Sequence, residues 1–161
     1  MSVSVLSAGP TERVSRYTSL TDCKVTLAKP DEAGYRASDC PGLDGFGLQK
    51  IEADGRENLA IQPPGSLSQN LKLPAYSGGG FSALGEQAEW RGKPGTPPDA
   101  LIVRYKVAER ADAPEQWTSY VMVASLKDTP CVVARIAPGP QQNEEARRVA
   151  DSAMPCLAPG A

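Results

Sequence analysis

Two periodicities divide the chain. From about residue 14 to residue 136, apolar side chains recur at alternate positions in short runs punctuated by Gly, Pro, Asp and Ser, the pattern of half-buried β-strands. The clearest run, residues 100–108, puts Leu101, Val103, Tyr105 and Val107 on one face. Beyond residue 143 the spacing changes. Ala146, Val149, Ala150 and Ala153 follow i, i+3, i+4, i+7, which predicts a helix over 144–154 with Asn143 as N-cap, Glu144 and Glu145 in the first turn and Pro155 as terminator.

The alternating runs predict strands at residues 14–20, 23–27, 35–40, 46–52, 57–61, 85–91, 100–108, 117–126 and 131–136. Breaker clusters separate them: Pro30 to Gly34, Pro41 to Gly45, and Asp54-Gly55, the strongest short hairpin signal in the chain. A two-residue loop at Asp54-Gly55 would set Glu52 against Glu57, a like-charge pair, so the pattern alone leaves that register open. Residues 62–80 hold little periodicity and read as a long excursion. Residues 1–13 read as a flexible lead-in and 14–161 as a single domain. With no repeat and no βαβ alternation, the expected class is α+β: mainly antiparallel β, eight or nine short strands, and one C-terminal helix packed on the sheet.

Cysteine positions add covalent constraints. In an antiparallel hairpin paired positions have a constant sum, and a hairpin turning between Asp31 and Glu32 sets Cys23 opposite Cys40. The strand opening at Cys131 is about 17 Å long and the predicted helix about 16 Å. A helix packed back along that strand therefore returns Cys156 beside Cys131. Four cysteines allow three connectivities, and the local one, Cys23 to Cys40 with Cys131 to Cys156, satisfies both constructions. Four reduced thiols or a zinc site are the competing readings, the latter opposed by the lack of any Cys-x-x-Cys pair.

Composition supports cross-linking. Leu, Ile, Val and Phe make up only 30 of 161 residues, and Gly and Pro together another 30, which describes a loop-rich fold with a lean core. Each bridge would contribute about 3 kcal/mol in the chain-entropy treatment. Oxidised bridges imply export, so a periplasmic or extracellular location is expected. No basic and apolar leader is visible at residues 1–6, which leaves a cytosolic protein or a mature segment, and the expected bridges select the latter; no apolar run is long enough to span a bilayer.

Charge and residue types exclude much chemistry. A formal net charge of -2, with 17 basic and 19 acidic residues and no basic cluster, argues against nucleic acid as a partner. The chain contains no His, which removes His-dependent triads and His metal sites, and no cofactor is expected. Gly80-Phe-Ser82-Ala-Leu84 fails as a nucleophile elbow at its last position. Gly45-Phe-Gly47 and Ser77-Gly-Gly-Gly80 lack the continuation that phosphate-binding loops require. Carboxylates remain as acid/base candidates: Asp39, Asp44, Glu86, Glu89 and Asp99. Trp90 and Trp117 read as core-edge packing. Tyr76 and Phe81, beside the triple glycine, are the candidate recognition residues, the competing reading being that they anchor their own loop.

Several segments resemble a group of small exported, periplasmic proteins of alphaproteobacteria. The resemblance rests on Asp39-Cys40-Pro41-Gly42, Leu84-Gly85 through Glu89-Trp90-Arg91, Leu101 to Tyr105, and Cys131 with the C-terminal helix and Cys156. It covers most of the chain from Thr21 onward and matches poorly over 62–80. It implies export and a shared fold and supplies no catalytic or binding residue. The leading expectation is an exported non-enzymatic binding or inhibitor-like domain, its loop 62–80 contacting a protein or glycan of the cell envelope. The alternatives are a carboxylate-dependent hydrolase of envelope glycans and a structural subunit of an envelope complex.

Overall fold

The computed structural model describes residues 12–159. Among them, ten strands form two five-stranded antiparallel sheets, and one helix follows the last strand near the C-terminus. The first sheet contains β1 (Val14–Ser19), β7 (Ser82–Gly92), β8 (Ala100–Val107), β9 (Thr118–Ser125) and β10 (Cys131–Ile136), in that order. The second contains β2 (Lys24–Lys29), β3 (Tyr35–Leu43), β4 (Phe46–Ala53), β5 (Arg56–Gln62) and β6 (Gln69–Asn70). The expected fold class holds. The tenth strand is the two-residue β6, inside a segment with too little periodicity to announce it.

The sheets pack face to face around one core. Phe46, Leu48, Leu59 and Ile61 of the second sheet meet Leu84, Trp90, Leu101, Val103, Tyr105 and Met122 of the first. Trp90 is fully buried, its ring centroid 6.0 Å from that of Phe46 and its Nε1–H donated to Thr18 Oγ1 at 2.8 Å. Trp117 does not share this role: it is 45 % exposed, just before β9. A second apolar cluster lies on the other side of the first sheet, where Ala146 and Ala150 of helix α1 (Gln142–Ala150) pack on Ala100, Ile102, Val121 and Val123. Residues 100–103 are therefore buried on both faces, whereas Arg104 and Lys106 emerge where the helix no longer covers the strand.

Turn chemistry sets the hairpins. Asp44-Gly45 and Asp54-Gly55 both have two consecutive positive φ angles (49° and 86°, 51° and 73°), the geometry of tight two-residue connections. The expected turn at residues 41–45 is narrower than its composition indicates. β3 runs on to Leu43 through a one-residue bulge at Pro41-Gly42, and a Cβ on Gly42 would lie 1.9 Å from the Phe46 carbonyl oxygen.

Both disulfides join the expected partners, Cys23 to Cys40 and Cys131 to Cys156, with Cα separations of 4.2 and 5.7 Å. The constant sum holds at Lys24↔Asp39 and Val25↔Ser38, then slips by one residue at a bulge. The helix differs from its expected bounds at both ends. It starts earlier because buried Gln142 donates from Nε2 to the Ser119 and Ile136 carbonyl oxygens (2.8 and 3.1 Å), and no side chain caps it. Asn143, the expected cap, instead accepts a hydrogen bond from Arg104. It ends at Ala150 because Asp151 is held by Arg13 and Arg91, so Ala153 is exposed and residues 151–156 reach the disulfide as an uncoiled strap.

Arg13 closes the domain instead of belonging to a free lead-in: it pairs with Asp99 and, at 2.6 Å, with Asp151. Residues 1–11 of the expected lead-in lie outside the described residues. No described helix is long and apolar enough to cross a membrane.

Candidate functional site

The two residues singled out as a recognition tip are not brought together on the surface. Tyr76 sits in a 3-10 turn (Leu73–Tyr76) with only 7 % of its surface exposed. Its hydroxyl donates to the Leu157 carbonyl at 2.9 Å, and its own carbonyl accepts from Arg135 Nη1 at 2.6 Å. It anchors the excursion to the strap, and Leu71 and Leu73 bury beside it. Phe81 is half exposed but lies across the Asp54-Gly55 turn with the Arg56 guanidinium 5.4 Å from its ring. The apolar side chain that this excursion does present is Leu67, on a Pro- and Ser-rich tip without the aromatic signal on which the expectation rested.

The five candidate carboxylates are dispersed. Asp44 pairs with Arg16 at 2.5 Å, Asp99 with Arg13, and Asp39 is exposed on β3. Only Glu86 and Glu89 line one concavity. Both oxygens of Glu89 are engaged by Arg147 (2.9 and 3.3 Å), and Ser15 donates a further bond at 2.6 Å. That arrangement suits an ion pair, because an acid/base role needs a carboxyl free to exchange a proton with substrate. The Glu89 hydrogen bond and charge in turn hold the Arg147 guanidinium above its usual pKa. Among the described residues no cluster of three or more Cys, Asp or Glu is placed to hold a metal ion.

The concavity containing Glu86 and Glu89 is a groove of about 440 Å³ on the helix side of the first sheet. Its floor is Ile102 and Val121. One wall is α1 with Asn143 and Arg147, and the other is a bulge at Gly85–Gln87, where β7 inserts two extra residues between Leu84↔Tyr105 and Ala88↔Val103. Tyr17 closes one end, half exposed, its hydroxyl accepting from Arg147 Nη2 at 3.3 Å. The bulge faces Arg104, and a Cβ on Gly85 would come within 3.0 Å of the Arg104 Cβ, so glycine keeps this approach open. Arg104 Nη1 donates to Ser119 Oγ and Gln142 Oε1 (2.8 and 3.0 Å), and Nη2 to Asn143 Oδ1 at 3.1 Å. Every one of these acceptors is neutral.

Comparison with protein-family models, curated proteins and solved structures finds no match. The reading of the groove therefore rests on its own geometry. A smaller cleft of about 370 Å³ lies at the other end of the helix, lined by Val123, Val133, Val149, Met154 and the Cys131–Cys156 bridge. Its rim holds Asp99, already paired with Arg13. The groove carries more polar chemistry, and its side chains converge from four strands and the helix.

Of the candidate site residues singled out in the sequence, only Glu86 and Glu89 line this groove. Tyr17, Gly85, Arg104 and Asn143 belong to different elements, and they are assembled only when α1 packs across β8, β9 and β10 and Arg147 reaches Glu89 on β7. A weak signal exists in the Arg104 and Lys106 positions, charged residues on the outward face of an otherwise apolar strand.

Proposed function

We propose that this chain is an exported binding domain that recognises a cell-envelope macromolecule without chemically transforming it, and that the groove between α1 and the β7 bulge is its recognition surface. The observation that carries this reading is the fixed state of the groove's polar side chains. Arg104 is tied to Ser119, Gln142 and Asn143, and Glu89 to Ser15 and Arg147, while Arg147 also meets Tyr17. Side chains already ordered before binding lose little rotamer entropy when a ligand arrives, which favours affinity. The two bridges support an oxidising, extracytosolic setting. The excursion at residues 62–80 contributes by buttressing the strap.

The test is retention of envelope material on immobilised protein. Wild type is expected to retain a saturable component that Tyr17→Ala and Arg147→Ala both release, while Phe81→Ala and Leu67→Ala retain it. Equal retention by the groove variants would overturn the assignment of the surface. Conversion of the retained material into shorter products would overturn the non-enzymatic reading in favour of a glycan hydrolase.

A further inference from the structure

Resting on that reading of the groove, we infer that its ligand is an acidic glycan whose carboxylate is gripped by Arg104, with Lys106 supplying additional positive charge. A guanidinium has five N–H donors. Three interactions to Ser119, Gln142 and Asn143 engage both Nη atoms, leaving Nε–H and one Nη2–H without a partner among the described residues. The Nε–H lies on the side edge of the guanidinium, one of the edges at which arginine pairs with a carboxylate. The two arginines of the groove differ: no described carboxylate lies within ion-pair distance of Arg104, whereas Arg147 has Glu89. Lys106 is exposed two residues along the same strand face, also without an ion-pair partner among the described residues.

The charge balance of the lining agrees. Arg104, Lys106 and Arg147 stand against Glu86 and Glu89, and the Glu89 charge is already matched by Arg147. Glu86 is exposed on the bulge, at the rim. The uncompensated guanidinium therefore sits deeper than the remaining acid.

The rest of the groove distinguishes a sugar chain from a peptide. Tyr17 offers a half-exposed aromatic face, on which the C–H face of a pyranose can stack, and Gln87 and Asn143 offer planar amide groups for vicinal hydroxyls. A peptide strand would need unpaired backbone to extend the sheet. Here β7, β8 and β9 are paired on both sides, and at the bulge the Glu86 carbonyl already accepts the Leu20 amide at 2.8 Å.

The experiment compares three probes by titration calorimetry: a uronic-acid oligosaccharide, its carboxyl-reduced neutral counterpart, and an acidic peptide of equal charge. The acidic glycan is expected to bind at least about tenfold tighter than the reduced form, the ratio expected from one charge-assisted contact. Its affinity should fall with added salt. Arg104→Gln should remove most of the preference for the acidic glycan over the neutral one, leaving only the part due to Lys106. Because Arg104 also holds the start of α1, Lys106→Gln serves as the second variant, and it should weaken the acidic glycan and leave the neutral one unchanged. Equal binding of acidic and reduced glycan would overturn the inference while leaving the groove a binding surface if Tyr17→Ala still releases envelope material. Binding of the peptide alone, or of none of the three, would also overturn it. Loss of the Tyr17→Ala effect on envelope retention would remove the underlying reading as well.

Discussion

Glu52 and Glu57 face each other directly across the β4–β5 hairpin, and each carboxylate is matched to its own cation. Lys50 Nζ lies 3.1 Å from Glu57 Oε2 and Arg36 Nη1 lies 3.8 Å from Glu52 Oε2. The like-charge opposition that left this register open in the sequence is resolved by the third strand, β3, and by a diagonal lysine. Glu57 Oε2 is fully buried and Lys50 approaches it off the hydrogen-bond direction, so its compensation is Coulombic.

Removing Lys50 should therefore cost more than a surface ion pair is worth. Lys50→Met leaves a largely buried carboxylate unpaired beside Glu52, and the expected loss is about 1–3 kcal/mol. A second substitution, Glu57→Gln, should recover most of it. Urea midpoints of the two single variants and the double variant measure the coupling, and simple additivity would show that the pair carries no interaction.

Alkaline stability should report on Tyr105. Burial pushes its phenol up to about 12 from an ordinary 10.0, against a hydrogen bond with Ser82 that acts in the opposite direction. The folded state therefore holds this proton more tightly than the unfolded chain. The associated stability is present in full below about pH 10 and is lost as pH rises towards about 12, a change of about 2–3 kcal/mol. Tyr105→Phe should be less stable than wild type at pH 7, because the bonds to Ser82 Oγ and the Glu57 carbonyl are lost, yet show a shallower decline between pH 10 and 12. Parallel declines in guanidinium midpoint would assign the alkaline loss to other groups.

The bridge from Cys131 to Cys156 holds a segment with few other attachments. Residues 152–156 are exposed, between Asp151, held by Arg13 and Arg91, and Leu157, tied by its amide to the Val132 carbonyl at 2.7 Å and by its carbonyl to Tyr76. Replacing both cysteines with serine should cost about 3 kcal/mol. It should also speed hydrogen exchange at the Leu157 amide far more than at Val123. Thiol titration of denatured, unreduced wild type should find no free sulfhydryl, and any other result would contradict the cross-linked state.

Particular residues show where sequence reading succeeds. The Cys23–Cys40 pairing was legible because hairpin registers obey a sum rule, and a bulge displaced that rule only after the cysteine end had been set. Asp54-Gly55 was legible because positive φ at two successive positions selects few residue types. Tyr76 stayed open between tip and anchor in the sequence because aromatic residues near glycines occur in both places. The choice between them was made by Leu157 and Arg135, which lie 81 and 59 residues away in sequence.

Local order in this protein follows from the sequence alone: the alternation of strands, the tight Asp-Gly turns, the terminal helix and the nearest-neighbour bridges all depend on residues close together or on covalent spacing. Tertiary structure decided how ten strands divide into two sheets, where α1 begins and ends, and which polar side chains share the groove. Those outcomes depend on which faces are covered by distant elements. Burial converts a charged residue such as Arg104 from a solvated surface group into an ordered one only after the helix, the bulge and the neighbouring strand have come together.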